Sequence, residues 1–192
     1  SPKRLPLEEV KLGVNYVLII STTAGLWGYN IGDTVQFTSL SPFRIIVSGR
    51  IKHFISAFGE HVIGSEVEKA LEFALNESKE TIAVREFTVA PQINPQEGLP
   101  YHEWFVEFDN IPEDLLGFQA HIDTAMNDLN IYYKDLIAGS VLRPLVIQAV
   151  QKGGFALYMK SIGKLGGQNK VPRLSNDRKI ATGLQSFLYS ET

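Results

Sequence analysis

The stretch GRIKHFISAFGEHVIGSEVEKALEFA, from Gly49 to Ala74, is where the chain changes character. Before it, apolar residues gather in short runs between glycines; after it, they begin to recur every three or four positions. Within it, Ser65-Glu66-Val67-Glu68 has the spacing of a capping box, with Ser65 placed to accept from the third helical N–H and Glu68 to return the bond. Val67, Ala70, Leu71 and Ala74 then share one helical face, and the helix is predicted to end near Ser78.

Upstream, NYVLIIS (15–21), DTVQFTS (33–39) and FRIIVSG (43–49) read as three strands, each rich in β-branched or aromatic residues, the first two joined through a glycine-bearing stretch. Downstream, TIAVREFTVAP and YHEWFVEF read as two more strands flanking the loop QINPQEGLP. In the second of these, His102, Trp104, Val106 and Phe108 share a face by period-two alternation. Phe118, Ile122, Ala125 and Leu129 mark an amphipathic helix. A strand PLVIQAV, a short helix from Gly154 to Ile162, the loop GKLGGQNKVPR and a final helix near DRKIATGLQSFLY complete the chain.

Helices crossing a small sheet predict an α+β fold. The domain boundary is expected near Gly49 to Lys52, giving a β unit over residues 1–51 and an α+β domain over 52–192. A β unit of that size is too small for a good core of its own, so it is expected to be the end of something larger.

Composition narrows the function. The 192 residues carry 18 basic and 21 acidic side chains, a formal net charge of -3, scattered without a basic patch, so neither nucleic acid nor a membrane surface is an expected partner. With no cysteine there is no disulfide, thiolate metal site or cysteine nucleophile. His53, His61, His102 and His121 show no close ligand pairing, so no metal site is expected in this chain. No stretch is long and apolar enough for a membrane span or a signal peptide, and the expected compartment is the cytoplasm.

Certain polar residues sit where chemistry is possible. Asp33, after Gly32 at the expected start of a strand, can accept bonds from two vicinal hydroxyls such as those of a ribose; closure of a turn is the competing reading, and local sequence favours it. Arg50, at a strand end, can fork onto a phosphate or hydroxyl, or form a surface ion pair. Lys52 suits an inter-domain hinge or a solvated linker equally. Lys164, Lys170 and Arg173 lie on the glycine-rich loop, where a lysine brought near a polyphosphate can stabilise developing charge, although lysines also populate ordinary loops.

Together, GLWGYNIGD and SGRIKHFISAFGEHVIGSEVEKAL resemble the ribose-binding and hinge motifs of the adenylate-forming superfamily, which includes acyl-CoA synthetases and firefly luciferase. NYVLIISTTAGLWGYNIGD and YYKDLIAGSVLRPLVIQAVQKGGFALYMKSIGKLGGQNKVPRL are similar more specifically to the auxin-responsive acyl-acid amido synthetases. The likeness is strong near both ends and weaker across residues 80–125.

The resemblance implies an ATP-dependent ligase that activates a small carboxylic acid as an acyl-adenylate and joins it to an amino acid, with Mg2+ accompanying ATP. It implies that residues 1–51 are the end of the large adenylate-forming domain and that 52–192 are a mobile C-terminal domain. By position it implies ribose binding by Asp33, nucleotide support by Arg50, a hinge at Lys52 and catalysis by Lys170, with Lys179 as an alternative. His61 is implied in a loop serving the second step. The family's phosphate loop, adenine pocket and acyl pocket precede the matched region. The chain therefore reads as a C-terminal portion, expected to be inactive without its upstream large domain. An acyl-CoA ligase-like fragment and a non-catalytic binding module on the same fold are the competing readings.

Overall fold

A computed structural model describes residues 3–50, 54–164, 166 and 170–190. The chain divides into two compact units, Ser1–Lys52 and His53–Thr192.

In the first unit, a short 3-10 turn (Leu7–Glu9) precedes strands β1 (Asn15–Ile20), β2 (Tyr29–Leu40) and β3 (Phe43–Arg50), which form an antiparallel sheet in that order. Its core is thin. Val35 and Phe37 are the buried apolar residues among those described in this unit, with Tyr16 and Phe43 packing edge-on against the Phe37 ring. Strand β2 begins at Tyr29, earlier than the DTVQFTS run predicts, so Asp33 lies inside a strand and not at its start.

The second unit opens with a hairpin, β4 (Phe54–Ile55) and β5 (Val62–Ile63), that leads directly into α1 (Gly64–Glu77). The strands of this hairpin are too short to show a period in the sequence. Strands β6 (Val84–Gln92) and β7 (Tyr101–Phe108) pair antiparallel. After α2 (Leu115–Leu129) and α3 (Ile131–Ala138), strand β8 (Val146–Val150) pairs parallel to β7. A parallel neighbour requires a long crossover, which the two helices supply. Two helices, α4 (Gly154–Ser161) and α5 (Lys179–Leu184), follow.

All eight residues of the central strand β7 are buried, because helices cover both faces of the sheet. Trp104, Val106 and Phe108 pack with Val67, Ala70, Leu71 and Ala74 of α1 and with Phe118, Ile122, Ala125 and Met126 of α2. Phe105 points the other way, into a cluster with Ala90, Val150, Phe155 and Tyr158 of α4, and Ala181 and Leu184 of α5. The alternate carboxylates of β7 are consequently buried too, and each needs partners. Glu103 accepts from Gln148 Nε2 at 3.0 Å and from Arg178 Nη2 at 2.5 Å. Glu107 accepts the Gly153 and Phe155 N–H groups at 2.8 and 3.2 Å, at the N-terminus of α4, where a negative charge is favourable.

Two local expectations need correction. Helix α1 starts at Gly64, and the carboxylate returning a bond is that of Glu66, whose Oε2 accepts the Ile63 N–H at 2.9 Å. Ser65 is therefore inside the helix, and Glu68 reaches Arg173 instead, with Nε to Oε1 at 3.5 Å. Between β7 and β8 the sequence predicts a single helix, but there are two. Asn130 ends α2 by donating its N–H to the Met126 carbonyl, and it starts α3 by accepting the Tyr133 N–H on its side-chain oxygen at 2.8 Å.

Candidate functional site

Asp33 owes its setting to a bulge. Across β1 and β2, Val17 pairs with Thr34 and Ile19 with Asn30, so Ile31, Gly32 and Asp33 together face Leu18. The excess is accommodated by Gly32, whose φ of 84° suits only a residue without Cβ, and by Asn30 Oδ1, which accepts the Gly32 N–H at 2.9 Å. On the other edge of β2, Asp33 pairs in register with Arg50, the last residue of β3, and Thr34 pairs with Gly49. Residues directly opposite in an antiparallel pair are close neighbours on the sheet. The two residues expected to hold a nucleotide thus stand opposite one another, 17 positions apart in sequence, with Asp33 half-buried. Lys52, expected as a hinge, lies outside the described residues.

In the second unit, His61 closes the 56–61 loop of the β4–β5 hairpin. It has φ of 49° and is exposed, with Nδ1 at 3.0 Å from Ser56 Oγ. Ser56 is held in turn by its N–H, which donates to Asn176 Oδ1 at 2.9 Å.

Lys170 is exposed and stands just before a segment tied to the edge of β6. There the Val89 N–H donates to the Arg173 carbonyl at 2.9 Å, the Ser175 N–H to the Val89 carbonyl at 3.0 Å, and Thr88 Oγ1 to the Pro172 carbonyl at 2.7 Å. Leu174 is fully buried. Arg173, expected on a flexible loop with Lys164 and Lys170, is instead an anchor. Its guanidinium pairs with Glu86, donates to the Phe87 carbonyl at 3.2 Å and lies 4.5 Å from the centre of the Phe87 ring. Lys170 and Lys164 border a groove of about 670 Å³ whose other walls include Glu86, Glu107, Phe155 and Met159. Lys179, the alternative lysine, begins α5 and pairs with Asp177 at 3.6 Å.

One group of residues was not legible in advance. Glu60 and His102 are both fully buried, with Oε1 and Nε2 2.8 Å apart. Glu60 Oε2 accepts the Phe58 N–H at 2.8 Å. Burial pushes the Glu60 carboxyl up, but the His102 hydrogen bond and charge, with backbone N–H donors, outweigh it and hold the pKa below the ordinary 4.5. Asn130 Nδ2 donates to the Glu60 carbonyl and to Glu66 Oε2, each at 3.1 Å. Burial raises the Glu66 pKa despite the bonds it accepts from Ile63 and Asn130. Beyond Asn130, the hydroxyl of fully buried Tyr133 donates to Asp123 at 2.7 Å, and burial together with that carboxylate drives its pKa well up. The available signal was His102 itself, a polar side chain at an inward position of a core strand.

Among the described residues no cluster of histidine and carboxylate side chains can hold a metal ion, and no helix is long and apolar enough to cross a membrane.

Residues 65–179 match the GH3 family C-terminal domain, and residues 1–50 match the GH3 family central domain. The chain belongs to the GH3 family. The family resembled in the sequence, the auxin-responsive acyl-acid amido synthetases, is this one. The GH3 central-domain match ends where β3 ends and contains Asp33 and Arg50; the C-terminal match begins in the first turn of α1 and contains Lys170. Lys52 and His61 fall between them.

Among relatives, this GH3 chain is 26% identical over 187 residues to the indole-3-acetic acid-amido synthetase GH3.10 of Arabidopsis thaliana, covering 91% of this chain and 30% of that protein. It is 28% identical to the Arabidopsis thaliana indole-3-acetic acid-amido synthetase GH3.3, covering 96% and 32%. It is 27% identical to the jasmonoyl-L-amino acid synthetase GH3.5 of Oryza sativa subsp. japonica, covering 88% and 30%. The chain thus spans about a third of the length of these relatives. Its fold is that of the GH3.15 acyl acid amido synthetase structure, with a TM-score of 0.74 at 20% identity over 97% of this chain and 36% of the other.

Proposed function

We propose that this chain is the C-terminal portion of an ATP-dependent acyl-acid amido synthetase. The observation that supports this most is the span of the family match, which runs through both units and includes relatives named as amido synthetases over at least nine-tenths of this chain.

The reaction has two steps. A carboxylate oxygen of the acid attacks the α-phosphorus of ATP and displaces pyrophosphate, giving an acyl-adenylate. The amine of an amino acid then attacks the acyl carbon, loses a proton and expels AMP, leaving an amide. The first step is needed because a carboxylate is a poor electrophile, whereas AMP is a good leaving group. In this reading Asp33 accepts hydrogen bonds from the ribose hydroxyls and Arg50 supports the same nucleotide. Their opposition across the β2–β3 ladder suits two groups serving one ligand. Lys170 enters for the first step, where its ammonium stabilises charge developing on the phosphates and the carboxylate. Its tether to β6 through Arg173 and Leu174 suits a side chain that must arrive in one orientation. Lys52 serves as the hinge between units, and His61 belongs to the loop used in the second step. Mg2+ travels with the triphosphate, the upstream large domain supplies the acid and adenine pockets, and the compartment is the cytoplasm.

The test uses the complete polypeptide that carries this sequence, supplied with ATP, panels of carboxylic acids and amino acids, and coenzyme A as an alternative nucleophile. Acid-dependent ATP–pyrophosphate exchange and an amide product identified by mass are expected, and Lys170→Ala should reduce the exchange rate at least a hundredfold. A thioester in place of an amide, or unchanged exchange in Lys170→Ala, would overturn the corresponding part. Residues 1–192 alone should show no exchange.

A further inference from the structure

The hairpin that carries His61 is held from within. Glu60, its immediate neighbour, has no exposed side-chain surface and uses both carboxylate oxygens, one toward His102 Nε2 and one for the Phe58 N–H, each at 2.8 Å. An ionised carboxylate only accepts, so His102 Nε2 is the donor in that bond. Asn130 adds a third point by donating to the Glu60 carbonyl at 3.1 Å.

A surface hairpin does not need a buried carboxylate, and replacing a buried charge pair by well-packed apolar side chains is often neutral or stabilising. What the pair can supply is one specified conformation. Glu60 is bracketed by two left-handed residues, Gly59 with φ of 94° and His61 with φ of 49°. Glycine adopts that region freely; for histidine it is uncommon and carries a cost that its surroundings must offset. Glu60 is drawn inward to His102, Val62 is fully buried and paired with Ile55, and His61 between them is left exposed against Ser56. The outward direction of His61 follows from the inward anchorage of Glu60.

We propose that His102 is a positioning residue for the amide-forming step: by fixing Glu60 in the core it holds the 56–61 loop in the shape that presents His61. The proposal rests on the reading above that this loop serves the second step. His102 itself, fully buried on β7 and 5.2 Å from the Tyr133 ring, acts through Glu60 and His61 and touches no substrate.

The experiment separates the steps in the complete polypeptide. ATP–pyrophosphate exchange reads the first, and single-turnover amide formation from preformed acyl-adenylate at varied amino-acid concentration reads the second. His102→Phe keeps an aromatic ring beside Tyr133 and removes the donor. It should slow amide formation at least tenfold while exchange stays within twofold of wild type. His102→Gln, which restores a donor, should recover most of the loss. Combining His102→Phe with His61→Ala should cost no more than His61→Ala alone. Should His102→Phe not fold, His102→Asn, whose amide is too short to reach Glu60, carries the same test. Unchanged amide formation, equal loss in both steps, or independent effects of the His102 and His61 substitutions would overturn the proposal. Absence of exchange in wild type would instead overturn the functional reading beneath it.

Discussion

Leu174→Ala tests whether the segment after Lys170 is docked as its contacts imply. Leu174 is fully buried, packed in the cluster that includes Val89, Trp104 and Val106, and flanked by the backbone bonds from Val89 and Ser175. Truncation removes a branch of three carbons from this cluster, roughly 2.4 kcal/mol of transfer free energy at about 0.8 kcal/mol per carbon. The cavity left behind adds to this, for a total of about 3 to 4 kcal/mol, within the usual range for such a change. At about 2 to 4 °C per kcal/mol for a chain of this size, the unfolding midpoint of residues 1–192 should fall by roughly 6 to 16 °C. At about 1.4 kcal/mol per factor of ten, hydrogen exchange at the Val89 and Ser175 amides should accelerate on the order of a hundredfold. Below the new midpoint the chain remains folded, so any loss of ATP–pyrophosphate exchange in the complete polypeptide then reports the loosened tether of Lys170. A midpoint within about 2 °C of wild type, with those amides still protected, would refute the docking on which that reasoning depends.

Gly183→Ala should destabilise by about 1 to 3 kcal/mol in thermal unfolding, since a Cβ there would meet Tyr158 Cε2 at 2.2 Å and the buried ring must yield. Arg173→Met should cost about 1 kcal/mol or less, because its ion pairs are partly solvated and the methionine retains the packing over Phe87; the check is a denaturant midpoint at low and high salt. Glu60 and Glu66 should contribute opposite slopes to stability as pH falls. The raised Glu66 pKa means its proton is bound more tightly in the folded state, so acidification toward 4.5 stabilises through this group; the lowered Glu60 pKa means stability present above 4.5 is lost as pH falls further through the folded value. In urea titrations across that range, Glu66→Gln should abolish the first contribution and Glu60→Gln the second.

The sheet and most helices were legible because their apolar residues repeat at two or at three to four positions. YHEWFVEF coincides with β7, and the Val67, Ala70, Leu71 and Ala74 face is the buried face of α1. Helix α3 was not legible because it buries chiefly Tyr133 while Ile131 and Tyr132 remain exposed, leaving no periodic stripe. The helix start at Gly64 escaped because the carboxylate that helps close it, Glu66, also answers to Asn130, which is distant in sequence. Asp33 and Arg50 stand out in the sequence by residue type, place and motif resemblance, but the bulge and register that oppose them depend on strand pairing. The Glu60–His102 pair joins a loop to a strand 42 positions away, a separation at which no local pattern carries information.

Asn130 illustrates how narrow a chemical requirement can become. Its amide nitrogen gives bonds to Glu60 and Glu66 while its oxygen receives one from Tyr133, so it needs a donor and an acceptor on one short side chain. Aspartate has the same shape and only the acceptor. Hydrolysis of this amide would exchange one nitrogen for oxygen, place a new negative charge beside the Glu66 carboxylate and the Glu60 carbonyl oxygen, and loosen the join between two helices and a hairpin. The integrity of this junction would then depend on a single side-chain amide, which the fold keeps buried.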